Sequence, residues 1–190
     1  MLEKTGIPDA ERVKEKFPPV ERIDRGPVAV VECYERIPCN PCATACRVHA
    51  IEIGEDINNI PALDAARCTG CAVCLSRCPG LAIFVVDGSK SKEFVEFRIP
   101  YEFLPLPKEG QSVWGLDRAG QRLSMVRVLK VQNPKSFDRT PVVTVEVPRA
   151  ELYTFRNIQT EGCVFCASNT KQKSPLAAGS AARCCKRVTR

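Results

Sequence analysis

The sequence predicts an α+β chain in three parts. A strand-and-turn unit is built around two cysteine runs, a small β-barrel-like unit follows, and a flexible basic tail ends the chain. Three observations carry this reading. Eight of the 12 cysteines fall between residues 33 and 78, in two runs that short β-branched stretches bracket. No cysteine occurs from 79 to 162, where runs rich in Val, Phe and Leu alternate with turn residues. Residues 162–190 hold six Lys/Arg and no acid.

Residues 1–26 predict an N-terminal arm with an amphipathic helix over 9–16. Phe17-Pro18-Pro19 ends it, because Pro cannot continue a helix and pushes the preceding residue to extended backbone. The arm reads as a segment that packs on something else. Gly26-Pro27 bounds a strand over 28–32, which delivers the chain to Cys33. Strands over 50–53 and 61–64 flank the polar loop 55–59 as a hairpin, and a strand over 83–87 follows Cys78-Pro79-Gly80. Strand, cysteine run, strand, loop, strand, cysteine run, strand is an internal repeat, which makes 27–90 one unit.

Over 91–158 the runs 94–99, 101–104, 112–116, 122–131 and 142–147 read as strands of a small β domain. Turn chemistry separates them at 107–110, 117–120 and Asn133-Pro134, and a helical turn closes the unit at 151–155. The stretch 159–190 is poor in large apolar residues and predicts a disordered basic tail.

Chemistry concentrates in the cysteine runs. Cys68-Thr-Gly-Cys71-Ala-Val-Cys74-Leu-Ser-Arg-Cys78-Pro79 is the bacterial run C-x2-C-x2-C-x3-C-P. Its first three thiolates wrap one iron–sulfur cube, and the fourth is carried round to ligate a second cluster. The partner run keeps C-x2-C-x3-C at Cys39, Cys42 and Cys46. Its first interval is stretched, with Cys33 six residues before Cys39, and Arg47 stands where the motif has Pro. The crossed pattern of two-cluster ferredoxins assigns Cys33, Cys39, Cys42 and Cys78 to one [4Fe-4S] cluster. It assigns Cys68, Cys71, Cys74 and Cys46 to the other. Each half then completes the other half's site, so neither half is expected to be stable without metal. A zinc-stabilised interaction module is the alternative, but zinc sites usually pair two C-x2-C or C-x2-H knuckles around one ion. In the tail, Cys163-x2-Cys166 and Cys184-Cys185 read either as a third metal site or as incidental thiols.

Gly70 and Gly80 are expected to let the backbone approach a cluster, where amide N–H groups bond sulfur and raise the potential. His49 is the single histidine, so His-based catalytic constellations have little to draw on, and no catalytic residue is assigned. Tyr34, Phe84 and Trp114 read as packing residues. No G-x-G-x-x-G or G-x4-G-K-[ST] run provides for a nucleotide or flavin. With six of its 28 basic residues in 162–190, the rest of the chain balances 22 bases against 22 acids, which argues against a nucleic-acid footprint. No long apolar run or export signal is visible, so reduced thiols in the cytoplasm are expected, with no membrane span.

Residues 28–87 resemble the bacterial two-[4Fe-4S] ferredoxin domain on these ligands. Three stretches carry a wider resemblance: Val31-Glu-Cys33-Tyr-Glu-Arg-Ile-Pro-Cys39-Asn-Pro-Cys42, Gly54-Glu-Asp-Ile-Asn-Asn-Ile-Pro61, and Cys78-Pro-Gly-Leu-Ala-Ile-Phe-Val-Val-Asp87. With Asp138-Arg-Thr-Pro-Val-Val-Thr-Val-Glu-Val-Pro148, they look like the small iron–sulfur subunits of multi-subunit flavin-dependent amino- or imino-acid dehydrogenases. Hydrogen cyanide synthase and the dye-linked proline dehydrogenases belong to that group. The resemblance covers about residues 1–158 and leaves the tail outside. It implies an electron-transfer subunit that makes and breaks no substrate bond. FAD or FMN would sit on flavoprotein partner subunits, and two clusters would pass electrons to an acceptor protein. A free-standing ferredoxin-type carrier is the rival reading.

Overall fold

The computed structural model describes residues 2–137 and 139–160. Seven strands form one antiparallel sheet in the order β1-β4-β5-β8-β7-β6-β9. These are β1 (Val28–Val31), β4 (Ile83–Asp87), β5 (Phe94–Pro100), β6 (Ser112–Leu116), β7 (Arg122–Gln132), β8 (Val142–Pro148) and β9 (Asn157–Gln159). A separate hairpin pairs β2 (Ile51–Glu52) with β3 (Ala62–Leu63). The helices are short: α1 (Leu2–Thr5), α2 (Ala10–Lys16), α3 (Val20–Ile23), α4 (Pro41–Ala45) and α5 (Val73–Arg77). The α+β class follows, with the strands dominant.

Strand β1 and the first four residues of β4 are continuous apolar runs because both of their faces are covered. Ala29, Val31, Ile83 and Val85 point to one side and pack with Cys42, Cys74, Leu75 and Ile51. Val28, Val30, Phe84 and Val86 point to the other and join Phe97, Ile99, Val143, Val145 and Phe155. The registers Ala29↔Val85 and Val31↔Ile83 keep each set on its own face. A side chain of this kind contributes roughly 1.5–3 kcal/mol on full burial. Alternation along β5 is the one-sided version: Val95, Phe97 and Ile99 are buried, while Arg98 shares the cysteine-side face through its pairing with Val85.

The N-terminal arm packs on this same sheet, not on a separate body. Asp9 caps α2 by accepting from the Arg12 N–H at 2.9 Å, and the helix stops at Phe17. Val13, Phe17 and Ile23 then sink into the main core. The Phe17 ring lies 5.7 Å from Phe84 and 5.1 Å from Tyr153.

The sequence predicts a separate barrel-like unit over 91–158. Instead β5 pairs with β4 over Val85↔Arg98 to Asp87↔Glu96, so one sheet runs from the cysteine region through that segment. Among the described residues β1 and β9 are its two edges, and the sheet is open. The apolar run of β4 needs a neighbour on each side, and β5 supplies the second. A further tie crosses the two regions. Glu32, at the end of β1, accepts from Arg118 after β6 and from Arg156 before β9, the latter at 3.0 Å. All three side chains are largely buried.

Two local expectations fail. Residues 101–104 are not a strand: Tyr101 makes one last bond to the Pro141 carbonyl at 2.9 Å, and Phe103 and Leu104 then stand exposed. Pro105 and Pro107 cannot donate to a ladder there. Conversely, the ordered chain continues past 158, because Gln159 pairs with Trp114 in β9 and Thr160 is buried against the Tyr101 hydroxyl at 3.3 Å. Cys163, Cys166, Cys184 and Cys185 lie outside the described residues. Among the described residues no helix is long and apolar enough to cross a membrane.

Candidate iron–sulfur site

Each cysteine run ends in the same backbone device. Helix α4 stops at Cys46 (φ −76°, ψ 101°) and α5 stops at Cys78 (φ −78°, ψ 110°). Three residues on, His49 and Leu81 adopt positive φ, 48° and 51°. Each donates its backbone N–H to the cysteine carbonyl, at 3.0 and 3.1 Å. One residue further, the N–H of Ala50 donates to Cys46 Sγ at 3.2 Å, and the N–H of Ala82 donates to Cys78 Sγ at 3.3 Å. Each run thus aims one backbone N–H at the sulfur of its last cysteine. The side chains of Arg47, His49 and Pro79 are exposed, so the device needs neither a Pro after the cysteine nor an imidazole.

The eight thiols fall into two sets. Cys46, Cys68, Cys71 and Cys74 all line one cavity, closed by Ala29, Ile51 and Gly70 among others. Burial pushes the Cys74 thiol up to about 12, and the neighbouring thiols of Cys68, Cys71 and Cys46, then Cys42, add to it. In the other set burial pushes Cys42 up to about 11, opposed by the Ala43 N–H, with the thiols of Cys78 and Cys39 adding. Cys33 is pushed up by burial, then by its neighbours Cys78 and Cys39. So Cys78, from the second run, keeps company with the first run, and Cys46 with the second. Helices α4 and α5 lie against each other and bring the sets side by side. Among the described residues no three Cys, His, Asp or Glu side chains converge as a single ion requires.

The stretched interval has a structural support. Arg36 donates to Asn59 Oδ1 at 3.0 Å and faces Asp56 at 3.6 Å, and the Cys39 N–H donates to the Ile57 carbonyl at 3.4 Å. The extra residues are thus pinned to the loop after β2, which returns the chain to Cys39.

Gly70 behaves as expected. Its φ is +64°, its N–H donates to Cys68 Sγ at 3.5 Å, and a Cβ there would meet the Pro27 backbone at 2.5 Å. Gly80 does not: a Cβ there would meet open space, and its N–H makes no bond to sulfur. The donors that sequence reasoning missed are alanines, Ala29 to Cys68 Sγ at 3.4 Å together with Ala50 and Ala82. A signal existed for two of them, since an alanine follows the last cysteine of each run by four residues.

Of the aromatic residues, Phe84 is wholly buried, Trp114 lies under the Arg122 guanidinium at 5.2 Å, and Tyr34 is half-buried. Burial pushes the Tyr34 hydroxyl up to about 12.

This donor set suits iron–sulfur chemistry. Soft thiolates surround a volume instead of a point, small residues wall it, and N–H groups approach the sulfurs. Residues 35–82 match the family model of a 4Fe-4S dicluster domain. The match takes in seven of the eight cysteines and begins two residues after Cys33. No curated protein and no solved structure matches the chain. The family match supports a ferredoxin-type iron–sulfur domain within this chain, with electron transfer as its chemistry.

Proposed function

We propose that the chain is an electron-transfer subunit holding two [4Fe-4S] clusters. Cys33, Cys39, Cys42 and Cys78 ligate one cluster, and Cys46, Cys68, Cys71 and Cys74 ligate the other. The observation that carries this reading is the exchange of fourth cysteines: Cys46 lines the cavity of Cys68, Cys71 and Cys74, while Cys78, like Cys39, neighbours Cys33 and Cys42. The clusters, when bound, supply one-electron redox chemistry. The protein's part is to deprotonate and hold eight thiols, wall them with apolar side chains, and aim N–H groups at the sulfurs. The raised thiol pKa values mean that loading releases protons.

The partner is a flavoprotein dehydrogenase acting on an amino or imino acid, with FAD or FMN on its own subunits and an acceptor protein downstream. This part rests on the resemblance of the stretches around Cys33, Gly54 and Cys78. One observation favours the free carrier instead: the N-terminal arm spends its apolar face on its own sheet and does not demand a partner.

Anaerobic purification with iron and sulfide counting tests the cluster reading. About eight irons are expected from two four-iron clusters. About four would remove Cys33 from the ligands, and a colourless zinc-loaded protein would overturn the reading. Co-purification with a flavoprotein is the expected result for the subunit, and a lone monomer would leave the free carrier.

A further inference from the structure

We propose, resting on the two-cluster reading above, that Arg98 and Arg22 are positioning residues that raise the potential of the cluster held by Cys46, Cys68, Cys71 and Cys74. Both grip the loop that carries Cys68 and Cys71 from outside. Arg98 donates from Nη1 to the Gly70 carbonyl at 2.9 Å. Arg22 donates from Nε to the Ala65 carbonyl at 2.7 Å and from Nη2 to the Cys68 carbonyl at 2.6 Å. It also reaches the Gly26 and Pro27 carbonyls, at 3.0 and 3.2 Å.

Two consequences follow from elementary physics. A trans peptide is planar, and its N–H points opposite to its C=O. Holding the Cys68 and Gly70 carbonyls outward therefore turns the Thr69 and Cys71 N–H groups the other way. Thr69, Gly70 and Cys71 line the cavity of this site. Among the described residues neither of those N–H groups has an acceptor, so both are left to bond a cluster's sulfur. Hydrogen bonds to sulfur stabilise the reduced, more negative cluster and raise its potential.

The second consequence is charge. Among the described residues neither guanidinium has a carboxylate within salt-bridge distance. Both side chains are half-buried, so solvent screens them weakly. An uncancelled cation beside the loop that would hold a cluster favours that cluster's reduced, more negative state. The other site has a comparable grip, from Arg156 Nη2 to the Leu81 carbonyl at 2.6 Å, but Arg156 also pairs with the Glu32 carboxylate. The arrangement makes the N-terminal arm, through Arg22, part of this cluster site, while its Lys16 is a charge neighbour of Cys33 in the other.

The test is an EPR-monitored redox titration of the full chain, purified anaerobically and counted for iron. Arg98→Gln is expected to lower one of two midpoints and leave the other in place, at an unchanged iron content. Arg98→Lys, which keeps the charge, is expected to restore most of the shift. Arg156→Gln is expected to lower the other midpoint. The proposal is overturned if Arg98→Gln moves neither midpoint, both, or the same one as Arg156→Gln. Loss of iron in both Arg98 variants would also overturn it, in favour of a purely structural role. A wild-type protein without two clusters would instead sink the two-cluster reading, before any variant is made.

Discussion

The two cysteine runs leave their sites alike and enter them differently. At the exit, Cys46 and Cys78 share a helix end, a positive-φ residue three places on and an alanine N–H on the sulfur, although Arg47 stands in one run and Pro79 in the other. At the entrance, Cys68, Gly70 and Cys71 form a tight loop under Pro27, while Cys33 and Cys39 are six residues apart and their connection is pinned to Asn59 and Ile57. The exit is set by backbone geometry, which many sequences can adopt. The entrance is set by how far the chain must reach, and that distance differs between Cys33, just past the end of β1, and Cys68, set in a loop.

The largest effect should come from exchanging fourth ligands. Cys46→Ser with Cys71→Ser should lose about four irons, no more than either change alone, because both strike one cluster. Cys46→Ser with Cys39→Ser should lose about eight, because the two residues share a run but not a site. Iron counts that followed the run and not the crossed set would break the comparison.

The glycines give a smaller effect. Gly70→Ala places a Cβ at 2.5 Å from the Pro27 backbone at φ +64°. The strain and overpacking together should cost about 2–4 kcal/mol, read in a denaturant titration of the loaded chain. Gly80→Ala meets open space and should change stability by less than about 0.5 kcal/mol.

A third test is pH. Burial holds Cys42 up to about 11 and Cys74 up to about 12, so the folded metal-free chain keeps protons that unfolded thiols release near their ordinary value. Fewer protons on the unfolded state means that stability falls as pH rises. The contribution is full below the ordinary thiol pKa and is lost as pH climbs through the raised values. The metal-free chain should therefore melt lower at about pH 10.5 than at about pH 8, while the loaded chain, whose thiols are already deprotonated, should not share that loss.

Much of this was readable from residues. The strands over 83–87, 94–99, 112–116 and 142–147 lie within a residue or so of β4, β5, β6 and β8, because each is a short run with β-branched or aromatic residues between turn residues. Helix α2 was readable from its Asp9 cap and Pro18 stop. Strand β9 was not, since Asn157-Ile158-Gln159 carries no strand signature and pairs only because β6 offers an edge. Residues 101–104 carried the signature and failed, for want of a neighbour to pair with. In the site, the cysteines announced themselves by spacing. Arg22 and Arg98 could not, because they act on carbonyls 28 to 46 residues away along the chain.

By itself the sequence pointed to the chemistry of this protein: an iron–sulfur run is present, and an upstream cysteine run partly repeats its spacing. Ligand spacing is a local property, fixed within one or two helical turns. Only the tertiary structure decided that the arm and the β segment belong to one sheet, and which guanidiniums grip which loop. Those depend on non-local packing, where a buried strand such as β4 takes whatever neighbour covers its second edge.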